Sequence, residues 1–139
     1  YQVVQSRAIG ADCILVILAM LNDEDAHSLM SNAREWGMDA LVEVHDETET
    51  ARAVDLGAEM IGINNRDLKT FATSLDIALQ LKPLIPSGRL VIAESGLSTP
   101  ADLRKLAMAG IGAYLIGEAL MRFDDLEAAT RALIADWRP

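Results

Sequence analysis

The chain has 139 residues, 51% of them hydrophobic and 24% charged, and its net charge is −9. These proportions predict one soluble globular domain, and the acidic balance disfavours nucleic acid as a partner because phosphate backbones call for clustered lysine and arginine. The longest apolar run, residues 13–21, is too short to cross a membrane. No basic region precedes an apolar stretch as it would in a signal peptide, so we expect a cytoplasmic protein.

One junction recurs along the chain: a glycine closes a helical pattern, a short loop follows, and a brief apolar run begins. This is the helix-to-strand junction of a parallel α/β unit. The closing glycines are Gly10, Gly37, Gly57 and Gly110, and a fifth junction over residues 83–89 uses Pro83 and Gly88. The apolar runs that follow predict five strands, at residues 13–18, 40–44, 60–63, 90–93 and 113–117.

Six amphipathic helices are predicted between and around these strands, most of them with a capping residue at the start. They are residues 1–9 as the end of a helix, a helix capped by Asn22 or Asp23 and reaching Trp36, one with an Asp46–Glu49 capping box ending near Leu56, one capped by Ser74 and reaching Lys82, one capped by Thr99 and ending near Ala109, and one with an Asp124–Glu127 box reaching Trp137.

The predicted strands are continuous apolar runs rather than alternating ones, which indicates a sheet covered on both faces. An open doubly wound sheet would meet that description, and so would part of a (β/α)8 barrel. A complete barrel needs about 250 residues. Residues 1–139 would then be a single partial barrel domain, the end of the third helix followed by units four to eight. Cys13, inside its apolar run, is expected to be a small core residue rather than a nucleophile.

Polar residues stand at four strand ends, where a strand interior should be apolar: residues 43–45, 64–66, 94–96 and 117–118. The carboxyl ends of parallel strands share one edge, so these groups are expected to line one pocket. Glu43 and Glu94 could act as general acid and base, with Asn64 orienting a carbonyl or hydroxyl group. The alternative is a set of rim ion pairs, with Arg66 bound to Glu43 or Glu94.

Glycines follow the fourth and fifth predicted strands. Gly96 follows the fourth strand, Thr99 and Pro100 then begin a helix, and Gly117 follows the last strand. Glycines at neighbouring strand ends let the main chain approach an anion, so Gly96 and Gly117 are predicted to cradle a phosphate group.

The two histidines are not expected to be catalytic. His45 precedes a capping box and is expected to lie on the surface or to cap the helix, and His27 is expected to be solvated. No metal-ligand spacing, nucleophile elbow or dinucleotide fingerprint is found.

Four segments of the chain carry a recognisable pattern: residues 41–45, 61–68, 93–96 and 115–121. They resemble indole-3-glycerol phosphate synthase, and the resemblance runs the full length of the chain. The string Gly62-Ile63-Asn64-Asn65-Arg66-Asp67-Leu68 in its strand context is quite specific to that family. The resemblance implies a (β/α)8-barrel lyase of tryptophan biosynthesis that uses no cofactor or metal. Its substrate would be 1-(2-carboxyphenylamino)-1-deoxyribulose 5-phosphate, which undergoes ring closure, decarboxylation and dehydration to indole-3-glycerol phosphate.

The resemblance also implies roles for individual residues. Glu43 would be an acid/base residue in closure and dehydration, Asn64 would orient a substrate hydroxyl or intermediate, and Glu94 would support the indole-forming steps electrostatically. The residues implied at the phosphate end are Ser95, Gly96, Gly117 and Glu118. Only the backbone N–H of Glu118 is assigned there, because its carboxylate would repel phosphate. Arg66 is expected to be a rim partner for a carboxylate rather than a catalyst.

The family's catalytic lysine and a second phosphate- and carboxylate-binding lysine have no counterpart among Lys69, Lys82 and Lys105. The 139 residues alone are therefore expected not to turn over substrate. A second hypothesis is a non-catalytic half barrel that associates with itself, because the strand at residues 13–18 would be an unpaired apolar edge. A third is another phosphate-binding barrel enzyme such as phosphoribosylanthranilate isomerase, against which the spacing of Glu43, Asn64 and Glu94 argues.

Overall fold

A computed structural model describes residues 1–135 of the chain, in which helices and strands alternate. The strands are β1 (Cys13–Ile17), β2 (Asp39–Val44), β3 (Met60–Asn64), β4 (Leu90–Glu94) and β5 (Ala113–Leu115). The α-helices are α1 (Gln2–Ala8), α2 (Asp23–Glu35), α3 (Glu47–Asp55), α4 (Asp76–Leu81), α5 (Pro100–Met108), α6 (Glu118–Met121) and α7 (Leu126–Ile134). Short 3-10 turns are formed by Leu18–Met20 and Lys82–Leu84. No helix within the described range has the length and apolar character that crossing a membrane requires.

The five strands form one sheet in the order β1-β2-β3-β4-β5, and every neighbouring pair is parallel. A doubly wound sheet reverses its strand order at a switch point. Here the order follows the sequence without reversal, which is the arrangement of a barrel wall. The prediction of five parallel strands alternating with helices is confirmed.

The strand register assigns each side chain to one of two faces. Val16, Val42, Ile61 and Val91 pair across the sheet and are all buried, because this face is covered by the helices. We call it the outer face. Residues one position away point to the opposite, inner face. Leu15, Leu41, Met60 and Leu90 form one row on that inner face.

The inner face carries both open apolar surface and the polar strand ends. Leu15, Leu90 and Leu115 on this face are 50%, 50% and 54% exposed. Glu43 follows Leu41 by two residues, and Asn64 and Glu94 pair in the last row, so these side chains project from the same face. The prediction that both faces are covered is therefore wrong for this chain: the inner wall of a barrel is covered by the strands opposite, and five strands leave it open.

Several local predictions need correction. Ser74 does not cap α4, since the helix begins at Asp76 after Leu75 and the Ser74 hydroxyl only accepts from the Asp76 N–H at 3.3 Å. Asp125, not Asp124, caps α7 by accepting from the Ala128 N–H at 2.9 Å. The short helix α6 was not predicted. Trp137, expected at the end of the last helix, lies outside the described residues.

Other expectations about helix starts are confirmed. Asn22 caps α2, accepting from the Asp25 N–H at 2.8 Å. Thr99 caps α5 within a full capping box that includes Asp102.

The prediction that Cys13 is a core residue is wrong. Cys13 is exposed, because it is the first residue of β1 and β1 is an edge strand of the sheet.

Candidate active site

Glu43, Asn64 and Glu94 lie together at the carboxyl ends of β2, β3 and β4. The two glutamates are only 5% and 4% exposed. The Asn64 amide connects two elements, because its Nδ2 donates to Glu43 Oε1 at 3.2 Å and its Oδ1 accepts from the Arg66 N–H at 3.0 Å. The structure therefore brings together the three side chains that the sequence predicts to converge.

The Glu94 carboxyl occupies space that a side chain at position 62 would otherwise fill. A Cβ atom built on Gly62 would overlap Glu94 Oε1 and would approach Leu41 Cδ1 to 3.2 Å. Burial raises the pKa of Glu94 to about 8, and the charge of Glu43 and a hydrogen bond with it add to the effect. At neutral pH this carboxyl is held largely as the neutral acid, next to a second carboxyl group.

His45 lies inside the site, and the prediction that it lies on the surface or caps the helix is wrong, since the N-cap of α3 is Asp46. The His45 side chain is 12% exposed and sits between two carboxylates, with Nε2 3.1 Å from Glu43 Oε1 and Nδ1 3.0 Å from Glu49 Oε2. Glu49 also accepts from the His45 backbone N–H at 2.9 Å. Half of the predicted capping box is present, since Asp46 accepts from the Glu49 N–H, but the Glu49 side chain binds His45. His27 is exposed as expected.

A cleft of about 740 Å³ opens beside this cluster, between the ends of β4 and β5. Ser95, Gly96, Gly117 and Glu118 line it, as do Arg66 and Arg122. Ser95 and Gly96 have φ angles of 63° and 71°. Consecutive left-handed residues turn the backbone sharply, and a non-glycine residue adopts that conformation only where its surroundings impose it. The predicted phosphate-end residues therefore share one concave surface.

Asn65 supplies the surroundings that hold this turn. The side chain is fully buried, its Nδ2 donates to the Ser95 carbonyl at 3.2 Å, and its Oδ1 accepts from the Ala78 N–H at 3.1 Å. Its backbone N–H donates to the Glu94 carbonyl at 2.8 Å. One buried amide thus ties the end of β3 to the turn after β4 and to α4.

Glu118 is paired with two arginines at the rim of the cleft. Its carboxylate lies 2.5 Å from Arg66 and 2.6 Å from Arg122, and these partners, Arg122 first, lower the pKa of Glu118. Arg66 is a rim partner for a carboxylate, as expected, but the alternative that it pairs with Glu43 or Glu94 is wrong. Arg66 pairs with Glu118 instead, because α6 brings Glu118 to the end of β3.

Four residues of the site were given no site role from the sequence: Gly62, Glu49, Asn65 and Arg122. A signal existed for Gly62, because a glycine inside an apolar strand run often marks a close approach by another group. The burial of Asn65 has no local signal, whereas the Glu118–Arg122 pair has one, the four-residue spacing of an acid and a base on a helix. Among residues 1–135, no group of three histidine, cysteine or carboxylate side chains is arranged to hold a metal ion.

Comparison with solved structures first places the fold. A thiamine phosphate pyrophosphorylase from Pyrococcus furiosus matches 96% of this chain and 62% of its own with a TM-score of 0.72 at 19% identity. A mandelate oxidase matches 97% of this chain and 51% of its own, with a TM-score of 0.75 at 15% identity. Fold and strand-end site together define the class: this is part of a (β/α)8 barrel with a pocket at the carboxyl ends of its strands.

Sequence comparison then gives the family. The family model described as indole-3-glycerol phosphate synthase matches residues 1–133. The synthase of Azospirillum brasilense is 48% identical over 135 residues, which are 97% of this chain and 52% of that protein. The synthase of Nocardioides sp. is 50% identical over 133 residues, 96% of this chain and 51% of that protein. The chain belongs to the indole-3-glycerol phosphate synthase family and spans about half the length of these relatives.

Proposed function

We propose that this chain carries the part of an indole-3-glycerol phosphate synthase active site that the C-terminal half of the barrel supplies. One observation carries the proposal. Two buried carboxyl groups, Glu43 and Glu94, lie together with the Asn64 amide, beside a cleft lined by Gly96 and Gly117. In the proposed reaction, 1-(2-carboxyphenylamino)-1-deoxyribulose 5-phosphate closes its ring and loses CO2 and water. In barrel terms, residues 1–139 would be units four to eight, preceded by the end of the third helix.

Glu43 would carry the proton transfers, with the Glu94 carboxyl beside it in support. Ring closure needs a proton donor at the substrate carbonyl oxygen, and dehydration needs one group that takes a proton and one that gives it. A buried pair with one late-titrating carboxyl offers both a donor and an acceptor at neutral pH, as the raised pKa of Glu94 supports. We assign Glu43 as the acid/base residue, Glu94 as support for the indole-forming steps, and Asn64 as the group that orients a substrate hydroxyl.

The cleft would hold the phosphate end of the substrate. We assign Ser95, Gly96 and Gly117 to backbone contacts with phosphate, and Glu118 through its N–H alone. The ion pairs of the Glu118 carboxylate with Arg66 and Arg122 support this assignment, because they offset a negative charge that would otherwise repel an anion.

The proposed site is incomplete within these residues. Lys69 and Lys82 do not line the cleft, and Lys105 on α5 pairs with Asp76 at 3.0 Å. We therefore propose that the chain alone does not turn over substrate and that the missing lysines come from the other half of a barrel. Cofactor independence and a cytoplasmic location stay predictions.

Genetic complementation tests this proposal. A tryptophan auxotroph that lacks the synthase would be given this chain alone, or with the half of the Azospirillum brasilense relative that the chain does not match. Growth is expected with both halves, not with the chain alone, and not with both halves when Glu43 is replaced by Gln. Glu35→Gln at the exposed end of α2 is the matched control. No growth despite a soluble assembled pair would contradict the proposal.

A second candidate is a non-catalytic half barrel that associates with itself. The exposure of Leu15, Leu90 and Leu115 on the inner face favours it, as does the position of β1 at the sheet edge. Sedimentation of the purified chain over a range of concentrations separates the two cases. A monomer that stays a monomer at every concentration would contradict self-association.

A further inference from the structure

We infer that His45 is a positioning residue, which holds the Glu43 carboxylate against Glu94 and is itself oriented by Glu49. The inference rests on the proposed function, since it gives the acid/base residue of that function a support. His45 is not expected to touch the substrate. Its action is exerted through Glu43.

The contacts form a chain from α3 to β3. Glu49 on α3 binds His45 twice, through Nδ1 at 3.0 Å and through the backbone N–H at 2.9 Å. The opposite ring nitrogen, Nε2, then lies 3.1 Å from Glu43 Oε1 in an electrostatic contact outside hydrogen-bond geometry. On the far side, Asn64 Nδ2 donates to the same oxygen at 3.2 Å.

Burial makes these contacts strong. The side chains of His45, Glu43 and Glu49 are 12%, 7% and 13% exposed, so little water competes for their polar atoms. Glu49 holds the ring at Nδ1 and the backbone at its N–H, so Nε2 is presented in a single direction, as it is where a carboxylate orients a catalytic histidine. A residue that merely capped α3 would need neither the burial nor the Glu43 contact.

The consequence falls on Glu94. The ionisable groups in this cluster are Glu43 on β2, His45 directly after β2, Glu49 on α3 and Glu94 on β4. The Glu43 charge and hydrogen bond are two of the three causes that raise the pKa of Glu94. If His45 no longer holds Glu43, that carboxylate turns away and these two causes weaken, while burial remains. The Glu94 titration thus reports the position of Glu43.

The test is a carbon-13 NMR titration of the Glu94 carboxyl in the 139-residue chain. The unaltered chain should titrate near pH 8 at this group. His45→Asn keeps an amide near the place of Nδ1 and loses Nε2, and should lower the midpoint by about one pH unit or more. His45→Gln places an amide nitrogen near Nε2 and should keep the midpoint close to the original. Glu49→Gln, which keeps the imidazole but removes the carboxylate that orients it, should lower the midpoint, and His27→Asn should not.

An unchanged Glu94 midpoint in a folded His45→Asn chain would overturn the inference, and so would a His45→Gln chain that titrates like His45→Asn. If His45→Asn does not fold, Glu49→Gln decides by the same criterion. The titration needs no turnover, so failed complementation would refute the proposed function and leave this result standing, and an unchanged midpoint would refute the inference alone.

Discussion

Replacing Glu94 by Gln should change how the stability of the chain depends on pH. The folded-state pKa of Glu94, about 8, lies above its ordinary value of 4.5. Between those values the folded chain keeps a proton that the unfolded chain has released. The stabilisation from this proton is complete below the unfolded pKa and is lost as the pH rises through the folded one. Gln carries a neutral amide at every pH and removes this dependence.

The magnitude follows from the size of the shift. Each pH unit over which one extra proton stays bound lowers the free energy of unfolding by about 1.4 kcal/mol. From pH 5 to pH 8 the ceiling is therefore about 4 kcal/mol. Screening by solvent at the open inner face and sharing of the proton with Glu43 reduce this to about 2 kcal/mol.

The assay is urea denaturation followed by circular dichroism between pH 5 and pH 8. Glu94→Gln should match the unaltered chain near pH 5 and exceed its free energy of unfolding by about 2 kcal/mol at pH 8. Glu35→Gln, at the exposed end of α2, should run parallel to the unaltered chain. If the Glu94→Gln profile also runs parallel, the claim of a buried, proton-holding carboxyl is refuted.

Three other changes have defined outcomes. Gly62→Ala should displace the Glu94 carboxyl and lower synthase activity of a reassembled barrel by about 100-fold, whereas Gly112→Ala, whose Cβ meets nothing within 4 Å, should not; equal activities would contradict the close approach. Asn65→Ala leaves the buried Ala78 N–H and the partly buried Ser95 carbonyl without this partner and should cost about 2–4 kcal/mol in urea denaturation, and a loss too small to measure would count against its bridging role. Leu15→Lys should weaken any self-association in sedimentation, and undiminished association would exclude the β1 edge.

The convergence of Glu43, Asn64 and Glu94 could be predicted because it follows from topology alone. In a parallel sheet every strand ends at the same edge, so polar residues that stop consecutive apolar runs must be neighbours. The Thr99 cap could be predicted for a similar reason, since its whole geometry lies within four residues. These are short-range consequences of strand direction and local hydrogen bonding.

The predictions that failed depend on contacts between distant segments or on a choice between equivalent neighbours. The partner of His45, Glu49, is only four residues away, but the local pattern does not decide whether the Glu49 side chain bonds the imidazole ring or completes the predicted capping box. Cys13 has the sequence surroundings of a core residue but lies at an open sheet edge. Asp124 and Asp125 have the same capping chemistry, and the structure selects Asp125.

The most direct test of the central claim is release of labelled CO2 by a reassembled barrel. This chain would be mixed with the unmatched half of the Azospirillum brasilense relative and given substrate labelled in its carboxylate. The account predicts one CO2 for each indole-3-glycerol phosphate formed, none from the chain alone, and a severe loss with Glu43→Gln but not with Glu35→Gln. An assembled barrel that releases no CO2, or one that is indifferent to Glu43→Gln, would contradict the claim that these strand ends form the synthase site.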